Sequence, residues 1–447
     1  MIAARDPGGL RRDGRPLHGG CASREPAQDR AEGAATFATG ATPWSGSARI
    51  GLLVAAVLCV IPLRFSATAV LPSLVERWAL SATGAAWITG AMQLGFFVGA
   101  IGFAAVNLAD RWPAPRVFAV NAAVGGAANV LLVAPAVGVE AALILRFITG
   151  VCLAGVHPPA VKIAAGLVPK EYRGRVIGTV VAATTLGTGI PYLLAVVWGG
   201  GGLAERPVIL GLSVLAGVGA LVVWCLVREG PYAAASARFD ATQVVKAFRN
   251  RPVLLAGLGY YGHMWELYGF WAWIVSFLAA AFSSGGGAGQ VQALVVAFVT
   301  IGVASPLASI AAGWLADRHG RTAVAIGALA LSGACCLASP LAFTAPGWVL
   351  AAFVVVWGMA AVADSAQFSA ATSELADPAY VGTVLTLQQG VGFAVTMIPL
   401  WGLPVLAEQW GWRYGFVVLA LGPAVGCAAM LALRSRPEAV RLAGGRR

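Results

Sequence analysis

The chain has 447 residues, of which 59% are hydrophobic and only 11% are charged, and its mean hydropathy is +0.79. Because about a quarter of the residues in soluble globular domains are charged, this composition excludes an ordinary soluble protein. The formal net charge is +11, but the basic residues lie in alternate loops between apolar segments, which argues against a nucleic-acid partner.

Apolar segments recur along nearly the whole chain, and each is long enough to cross a hydrocarbon core of roughly 30 Å as a helix. Residues 1–49 precede them, lack the apolar core of a signal peptide and are predicted to form a disordered cytoplasmic tail. The predicted fold class is all-α and polytopic. Its twelve transmembrane helices are predicted over 50–75, 84–108, 116–136, 141–166, 176–198, 207–227, 252–280, 291–315, 322–343, 347–372, 381–406 and 413–433.

The distribution of positive charge predicts the orientation of the chain. Three arginines, Arg77, Arg206 and Arg413, lie on one side of the predicted membrane, and nearly all the other loop Lys and Arg residues lie on the opposite side. Cytoplasmic loops are enriched in Lys and Arg, so we expect both termini in the cytoplasm, including a basic tail at 434–447. The expected location is a bacterial cytoplasmic membrane.

The two halves of the chain repeat each other. An offset of 208 aligns Gly150 with Gly358 and Pro191 with Pro399, and an offset of 207 aligns the run 108–111 with 315–318. Matches of glycine and proline at a constant offset predict two pseudo-symmetric six-helix bundles. We place these bundles at 50–227 and 252–433, joined by a cytoplasmic linker at 228–251. Parallel repeats of this kind place a solute site between the halves near the bilayer midplane.

A loop motif follows the second helix of the second half, where residues 313–321 read G-W-L-A-D-R-H-G-R. We expect Gly313 to permit close helix packing, Gly320 to form a tight turn and Asp317 to complement a helix N-terminus. The two arginines of the motif, Arg318 and Arg321, are expected to stay on the cytoplasmic side.

The first-half copy of this motif is degenerate, because Asp110 and Arg111 remain but Val106 and Pro113 replace the two glycines. Together with the repeat and the topology, the motif makes the chain resemble the major facilitator superfamily over residues 50–433. The resemblance implies a gating role for both copies at the cytoplasmic side. The alternative, that these loops only cap helices and orient the chain, stays open.

Two further resemblances are narrower. Arg146 and Gly150 are similar to the R-x-x-x-G motif of the superfamily, which is linked to proton coupling. The segments around His157, residues 262–268 and residues 363–369 are similar to bacterial permeases of the cyanate and nitrate/nitrite type. The second resemblance implies a small anion as the solute.

Few ionisable residues lie inside the predicted spans, and each costs roughly 2.5–3.5 kcal/mol near the bilayer centre, which favours a functional reason for its presence. They lie on the first and fourth helices of each half, which line the central cavity in the family resembled. The residues are Arg64, Arg146, His157, Lys162, His263, Glu266 and Asp364.

Arg64 is the predicted anion ligand, since a guanidinium stays charged and binds carboxylate-like groups in a bidentate manner. Arg146 and His157 are eleven residues apart, which places them within about 20° on one helical face, and we predict that both bind substrate. Fixed ion pairs, Arg64 with Glu266 or Arg146 with Asp364, are the structural alternative.

Proton coupling is predicted for Glu266, His263 and Asp364. Loss of water favours the neutral form of a carboxyl, and histidine changes charge near neutral pH. The seventh helix is rich in aromatic residues, of which Tyr261, Trp265 and Tyr268 share a broad face and are predicted to form an aromatic wall for the substrate. Gln367 on the tenth helix is a further predicted substrate ligand.

The sequence contains no ATP-binding loop, nucleophile elbow or metal-ligand spacing, so we expect neither an enzyme nor a metal or other cofactor. The predicted function is secondary active transport of a small solute, an anion or carboxylate, by a monomer in the lipid bilayer with protons as the coupling ion. The alternatives are a proton-coupled exporter of amphipathic or cationic compounds, with Glu266 and Asp364 as cation partners, and a non-transporting membrane sensor.

Overall fold

The computed structural model describes residues 46–106, 111–169, 172–198, 204–232, 250–283, 287–377 and 381–445, and no β-strand occurs within these ranges. Asp110, most of the predicted linker and residues 1–45 of the predicted tail lie outside them. The all-α, polytopic fold class predicted from the sequence is confirmed.

Twelve long helices alternate in direction across the described ranges. Eleven of them are long and apolar enough to span a membrane. The remaining one, α3, has 18 residues and is less apolar because it contains Arg116, Asn121 and Asn129. Each predicted span falls on one helix, with shifted ends. The helices are α1 Ser47–Ala69, α2 Ala82–Ala105, α3 Ala114–Leu131, α4 Val139–Gly166, α5 Arg173–Val197, α6 Glu205–Leu226, α7 Arg251–Ala281, α8 Ala288–His319, α9 Arg321–Ala342, α10 Gly347–Leu375, α11 Val381–Trp410 and α12 Trp412–Arg434.

The two ends of the helix bundle differ in what they carry. We call the end with Gly320 and Arg434 the motif end and the opposite one the far end. Helical structure begins at Gly46 at the motif end, so residues 46–49 are helical rather than part of the predicted tail. Large apolar side chains such as Leu341, which is 74% exposed, cover the outer surface and suit a lipid environment.

The glycine repeat has a packing role in both halves. A Cβ atom at Gly150 in α4 would overlap the backbone of Met92 in α2, and one at Gly358 in α10 would overlap Thr300 in α8. Because lipid provides no hydrophobic driving force between helices, close approach at small residues is what holds them together. The sequence offset therefore marks the same helix crossing in each half.

Helices α1, α4 and α10 are each interrupted beside an ionisable side chain. A 3₁₀ segment, Ile61–Phe65, interrupts α1 at Pro62, where the ring removes a backbone donor. In α4 the break lies between Ala154 and His157, and in α10 it lies at Asp364. Each break frees backbone groups from the helix and places an ionisable side chain beside them.

The two halves meet along α2 with α11 and along α5 with α8. At the far end the rings of Trp87 and Trp401 lie 4.6 Å apart, and the backbone N–H of Ala82 donates to Glu408 at 3.3 Å. Deeper in the bundle, Gly189 packs directly on the backbone of Gly302. The far end is therefore closed between the halves.

The motif end is more open. A cavity of about 480 Å³ lies between α2 and α11, and a second of about 200 Å³ lies between α4 and α11. Pro158 and Gln389, which face the smaller cavity from opposite halves, are exposed. The motif-end segments of α4 and α10, His157–Gly166 and Ser365–Leu375, pack mainly on helices of their own halves.

The predicted basic tail at 434–447 is not a free extension. Helix α12 continues to Arg434, and a 3₁₀ segment, Pro437–Gly445, follows with Leu442 fully buried. The backbone N–H of Ala443 donates to Glu374 of α10 at 3.0 Å. The apolar residues of this segment pack on the motif end of the second half, which explains why it is ordered there.

Candidate functional site

Arg64 lies inside the bundle, where the two halves face each other. The 3₁₀ segment of α1 presents its side chain towards α7, and its Nη1 donates to the Tyr268 hydroxyl at 2.9 Å. The side chain is 6% exposed, and its Nε has no hydrogen-bond partner. No carboxylate in the described ranges pairs with this guanidinium, so the predicted Arg64–Glu266 pair does not form.

Aromatic rings surround the Arg64 guanidinium on both sides of the junction. Its Cζ lies 5.1 Å from the centroid of the Phe96 ring and 5.8 Å from that of the Tyr268 ring, within range of cation–π attraction. Phe393 of α11 continues the wall, since its ring lies 4.5 Å from Phe96 and 5.7 Å from Tyr268. The site therefore combines one cation with an apolar lining.

Arg146 is fully buried in the first half, and its fork is already occupied. It donates to the carbonyl oxygens of Leu63 at 3.2 Å, Arg64 at 2.9 Å and Ile88 at 3.4 Å, and to the Ser66 hydroxyl at 3.1 Å. The first two carbonyls lie in the 3₁₀ segment of α1. Arg146 thus holds the break that presents Arg64, and it does not pair with Asp364.

His157 has different hydrogen-bond partners from Arg146. The break in α4 separates the two residues, so the rotation of about 100° per residue does not carry through. The His157 Nδ1 lies 3.3 Å from the Thr184 hydroxyl of α5, and the ring is close enough to Arg64 for direct electrostatic interaction. His157 is partly exposed beside the motif-end cavity.

His263 and Asp364 form a buried pair in the second half. The Nδ1 atom of His263 lies 2.8 Å from Oδ1 of Asp364, and its Nε2 lies 2.9 Å from the Ser365 hydroxyl. Both side chains are 2% exposed, and the ring lies 5.6 Å from that of Phe368. The break in α10 brings the carboxyl and the hydroxyl to the two nitrogens of one imidazole.

Glu266 points away from the junction, into the packing between α7, α9 and α10. Its Oε2 accepts from the Ser332 hydroxyl at 2.8 Å, and its Oε1 accepts from Trp357 Nε1 at 2.9 Å. The Cys336 thiol lies 3.4 Å from Oε1. Three donors within one half therefore satisfy this carboxyl, which lies on the same helix as His263 but has different neighbours.

The other predicted substrate ligands are dispersed. Trp265 packs against α12, where its Nε1 donates to the carbonyl of Val418 at 3.4 Å, so this placement does not support a role in the substrate wall. Gln367 is buried and accepts from Arg321 at 3.3 Å. Tyr261 is partly exposed on α7 and lines a small motif-end pocket with Gln388.

The loop motif of the second half is anchored within that half. Arg321 binds Glu374 of α10 through the Nε–Nη2 edge of its guanidinium, with Nη2 donating to Oε1 at 2.7 Å and Nε donating to Oε1 at 2.9 Å. Gly320 has φ +95°, as expected for a tight turn, whereas a Cβ at Gly313 would meet no atom within 4 Å, so close packing does not require that glycine. The loop therefore ties the start of α9 to the motif-end segment of α10.

The remaining motif residues lie at the surface. Arg318 stacks over the Trp314 ring at 3.5 Å, and Asp317 is exposed. In the first-half copy Arg111 is exposed, and Asp110 lies outside the described ranges. The capping and gating interpretations of this copy therefore stay predictions.

Sequence reasoning did not identify two neighbours of the site. Phe96 covers the Arg64 guanidinium, and Thr184 contacts His157. Tyr268, the direct partner of Arg64, belongs to the aromatic wall predicted on α7, but its contact with Arg64 was not predicted. No sequence signal marks Phe96 or Thr184.

Comparison with known proteins gives one curated relative. It is the 3-(3-hydroxy-phenyl)propionate transporter of Escherichia coli (strain K12), which is 32% identical over 140 residues, covering 30% of this chain. The match spans 32% of the length of that relative, about a third.

Solved structures match over most of the chain. A bacterial homolog of the human lysosomal transporter Spinster, in an inward-facing and unoccupied conformation, has a TM-score of 0.70 at 16% identity and covers 88% of this chain and 98% of its own. The D-xylose-proton symporter has a TM-score of 0.64 at 18% identity, covering 88% and 97%. At such identities these likenesses establish the fold alone.

The family model described as Major Facilitator Superfamily matches residues 52–305, which is more than half of the chain. The match begins inside α1 and ends in α8, just after the π-helical segment Val299–Ala304. It therefore covers nearly all of the first half and the beginning of the second. The chain is therefore a member of the Major Facilitator Superfamily.

Proposed function

We propose that this superfamily member is a proton-coupled secondary transporter of small aromatic carboxylates that works by alternating access between its two halves. The observation that carries the proposal is the buried, unpaired guanidinium of Arg64 at the junction of the halves. A buried charge without an opposite charge is costly, and a carboxylate solute supplies the missing partner through charge-assisted hydrogen bonds.

The aromatic surroundings support the class of solute. Phe96, Tyr268 and Phe393 would contact the apolar body of a solute whose carboxylate is held by Arg64. Large planar rings add offset or edge contacts to one another beyond the area they bury. The curated relative transports a phenylpropionate, which has the same combination of a ring and a carboxylate.

The pairing of the other ionisable groups favours an anion over a cation. Glu266 accepts from three donors, and Asp364 lies 2.8 Å from the basic imidazole of His263, whereas no carboxylate in the described ranges pairs with Arg64. An exporter of cations would require one of these carboxyls to exchange its protein partners for the solute. A solute anion can accept from the Nε of Arg64 without displacing a protein group, because this atom has no hydrogen-bond partner.

Proton coupling has an energetic reason. Moving one negative charge into a cell against an inside-negative potential costs about 2.3 kcal/mol per 100 mV, and a co-transported proton removes this cost. We assign the proton to the buried His263–Asp364 pair, because an imidazole and a carboxylate 2.8 Å apart can share one added proton, which changes the net charge of the pair from −1 to 0. Glu266 belongs to the same half but is bound within its packing.

The arrangement of the helices supports an inward-open state. If the motif end is cytoplasmic, as the distribution of Lys and Arg predicts, the closed far end faces outward and the cavities open to the cytoplasm. The bacterial Spinster homolog, which has the same fold, has a solved structure in an inward-facing conformation. We place the protein in a bacterial cytoplasmic membrane as a monomer, with both termini inside.

Uptake by purified protein in proteoliposomes tests the function. With an inward proton gradient, we expect 3-phenylpropionate to accumulate above the level in protein-free liposomes, and a protonophore to abolish the difference. The amide of the same compound, which keeps the ring and loses the charge, should not accumulate. Uptake of a lipophilic cation in place of the acid would favour the exporter alternative, and no uptake of either would favour a sensor.

A valine in place of Gly189 is expected to shift the carrier away from the state with a closed far end. A Cβ at Gly189 would lie 2.5 Å from the Cα of Gly302, so α5 and α8 cannot approach as they do here. Cysteines at Ala82 and Glu408, in a background without native cysteines, report far-end closure by cross-linking with a short reagent.

The matched control is Gly178→Val on the same helix, where a Cβ meets no atom within 4 Å. Cross-linking should fall in Gly189→Val and stay at the parental level in Gly178→Val. Equal cross-linking in both variants would show that this crossing does not control closure.

A further inference from the structure

Tyr268 and Arg64 belong to opposite halves, yet their side chains are in direct contact. Arg64 comes from the interrupted α1 of the first half, and Tyr268 comes from the uninterrupted α7 of the second. The hydrogen bond between Nη1 and the hydroxyl oxygen is 2.9 Å long, and Tyr268 is 5% exposed. A polar contact buried between the moving halves is well placed to respond to a solute.

Both groups keep a donor that is not used. The Nε of Arg64 has no partner. The Tyr268 oxygen accepts from Arg64, and its own O–H has no acceptor in the part of the chain that the structure describes. A phenol can donate and accept at once, so the hydroxyl can turn its hydrogen towards a new acceptor. The two side chains that carry these unused donors, one from each half, are therefore in direct contact.

We propose that Tyr268 is a second ligand of the solute carboxylate, contributed by the half opposite to Arg64. One carboxylate oxygen accepts from the Arg64 guanidinium, and the other accepts from the Tyr268 O–H. Binding thus exchanges the direct Arg64–Tyr268 hydrogen bond for a carboxylate bridge between the halves. The inference rests on the proposed function, since it requires a carboxylate at Arg64, and it adds a residue that links binding to the movement of the halves.

The rings around the hydroxyl fix its position. Tyr268 packs against Trp271, with centroids 5.7 Å apart, and against Phe393 at the same distance. These contacts hold the phenol on both sides and leave the hydroxyl directed at Arg64. The phenyl ring of Tyr268→Phe can keep the packing while the donor is lost, which makes this variant a clean probe.

The experiment is equilibrium binding of 3-phenylpropionate to the purified full chain, compared among wild type, Tyr268→Phe and Tyr192→Phe. The Tyr192 hydroxyl also joins the halves, donating to the carbonyl of Trp271 at 2.9 Å, but it does not contact Arg64. It is therefore a matched control for the loss of one buried inter-half hydrogen bond. Thermal melts of all three proteins report whether each is folded.

We expect Tyr268→Phe to weaken binding of the acid by about tenfold or more, as loss of a hydrogen bond to a charged group requires, and Tyr192→Phe to weaken it by less than about threefold. Unchanged affinity in Tyr268→Phe, or an equal loss in both variants, would overturn the assignment of Tyr268. If wild type itself does not bind the acid, the proposed function fails first, which is a different result. If Tyr268→Phe does not fold, Tyr268→Trp, which restores an N–H donor to the ring, should retain more affinity than Tyr268→Leu.

Discussion

Replacing Arg64 by alanine is expected to abolish uptake of the aromatic acid while leaving the protein folded. Truncating one partner of a buried, hydrogen-bonded charge pair costs about 2–5 kcal/mol, which corresponds to a loss of affinity of roughly 30-fold to several thousandfold. In the empty protein this guanidinium has no carboxylate partner in the described ranges, so its removal should not lower the melting temperature. Uptake in proteoliposomes and a thermal melt of the same preparation measure both effects.

Two variants make this result specific. Arg64→Lys keeps the charge without the planar fork, so it should retain only part of the uptake. Arg116→Ala removes an exposed arginine at the start of α3 and should behave as wild type. Normal uptake by Arg64→Ala would end the anion-ligand hypothesis, and a strongly lowered melting temperature would indicate a structural role instead.

Replacing Arg146 by methionine is expected to have the opposite pattern, with a large loss of stability. The four hydrogen bonds of this fully buried side chain hold the 3₁₀ segment of α1 and the adjacent turn of α2. Each buried polar group left unpaired costs about 1–3 kcal/mol, and several are released together. The melting temperature of the purified protein should fall well below that of Arg64→Ala, and the yield of monodisperse protein should fall with it.

The variant Arg146→Lys helps to distinguish a structural role of Arg146 from a role in substrate binding. Arg146→Lys retains a charge but cannot reach carbonyl groups on two helices with one ammonium, so we expect it to be nearly as unstable as Arg146→Met. If Arg146→Met melts like wild type but does not bind the acid, Arg146 is a substrate ligand and not a support for α1. The contrast between these two arginines, one of which donates to the backbone carbonyl of the other at 2.9 Å, is the sharpest consequence of the site geometry.

Much of the architecture could be predicted from the sequence because it depends on length and composition. Hydrophobic length predicted each of the twelve spans, and the constant offset between Gly150 and Gly358 predicted the repeated helix crossing. Restriction of ionisable residues to the first and fourth helices of each half correctly marked the helices that carry Arg64 and Asp364. These signals survive because membrane helices tolerate charge only where protein surrounds it.

The details of the site could not be predicted, because they depend on where helices break. Helix α4 is interrupted between Arg146 and His157, so regular helical spacing does not determine how their side chains are related. The partners of Arg146 are backbone carbonyls, which leave no side-chain signature in the sequence. Trp265 lies on a helix with aromatic residues on all sides, so periodicity does not identify which of them faces the junction.

Other predictions remain as they were. The roles of His263 and Asp364 in proton coupling are supported by their contact but await measurement, and the roles of Tyr261 and Gln367 in binding have no further support. The similarity to cyanate and nitrate/nitrite permeases also stays a prediction. The curated relative is instead a transporter of a phenylpropionate, which favours a larger, aromatic anion.

The most direct test of the central claim, that Arg64 binds the carboxylate of the solute, is a double comparison of affinities. Binding of 3-phenylpropionate and of its amide is measured for wild type and for Arg64→Ala by the same equilibrium method. We predict that wild type prefers the acid by at least about thirtyfold and that Arg64→Ala binds the two compounds within about threefold of each other. If folded Arg64→Ala still prefers the acid to the amide, the claim is contradicted and the carboxylate binds at another site in the protein.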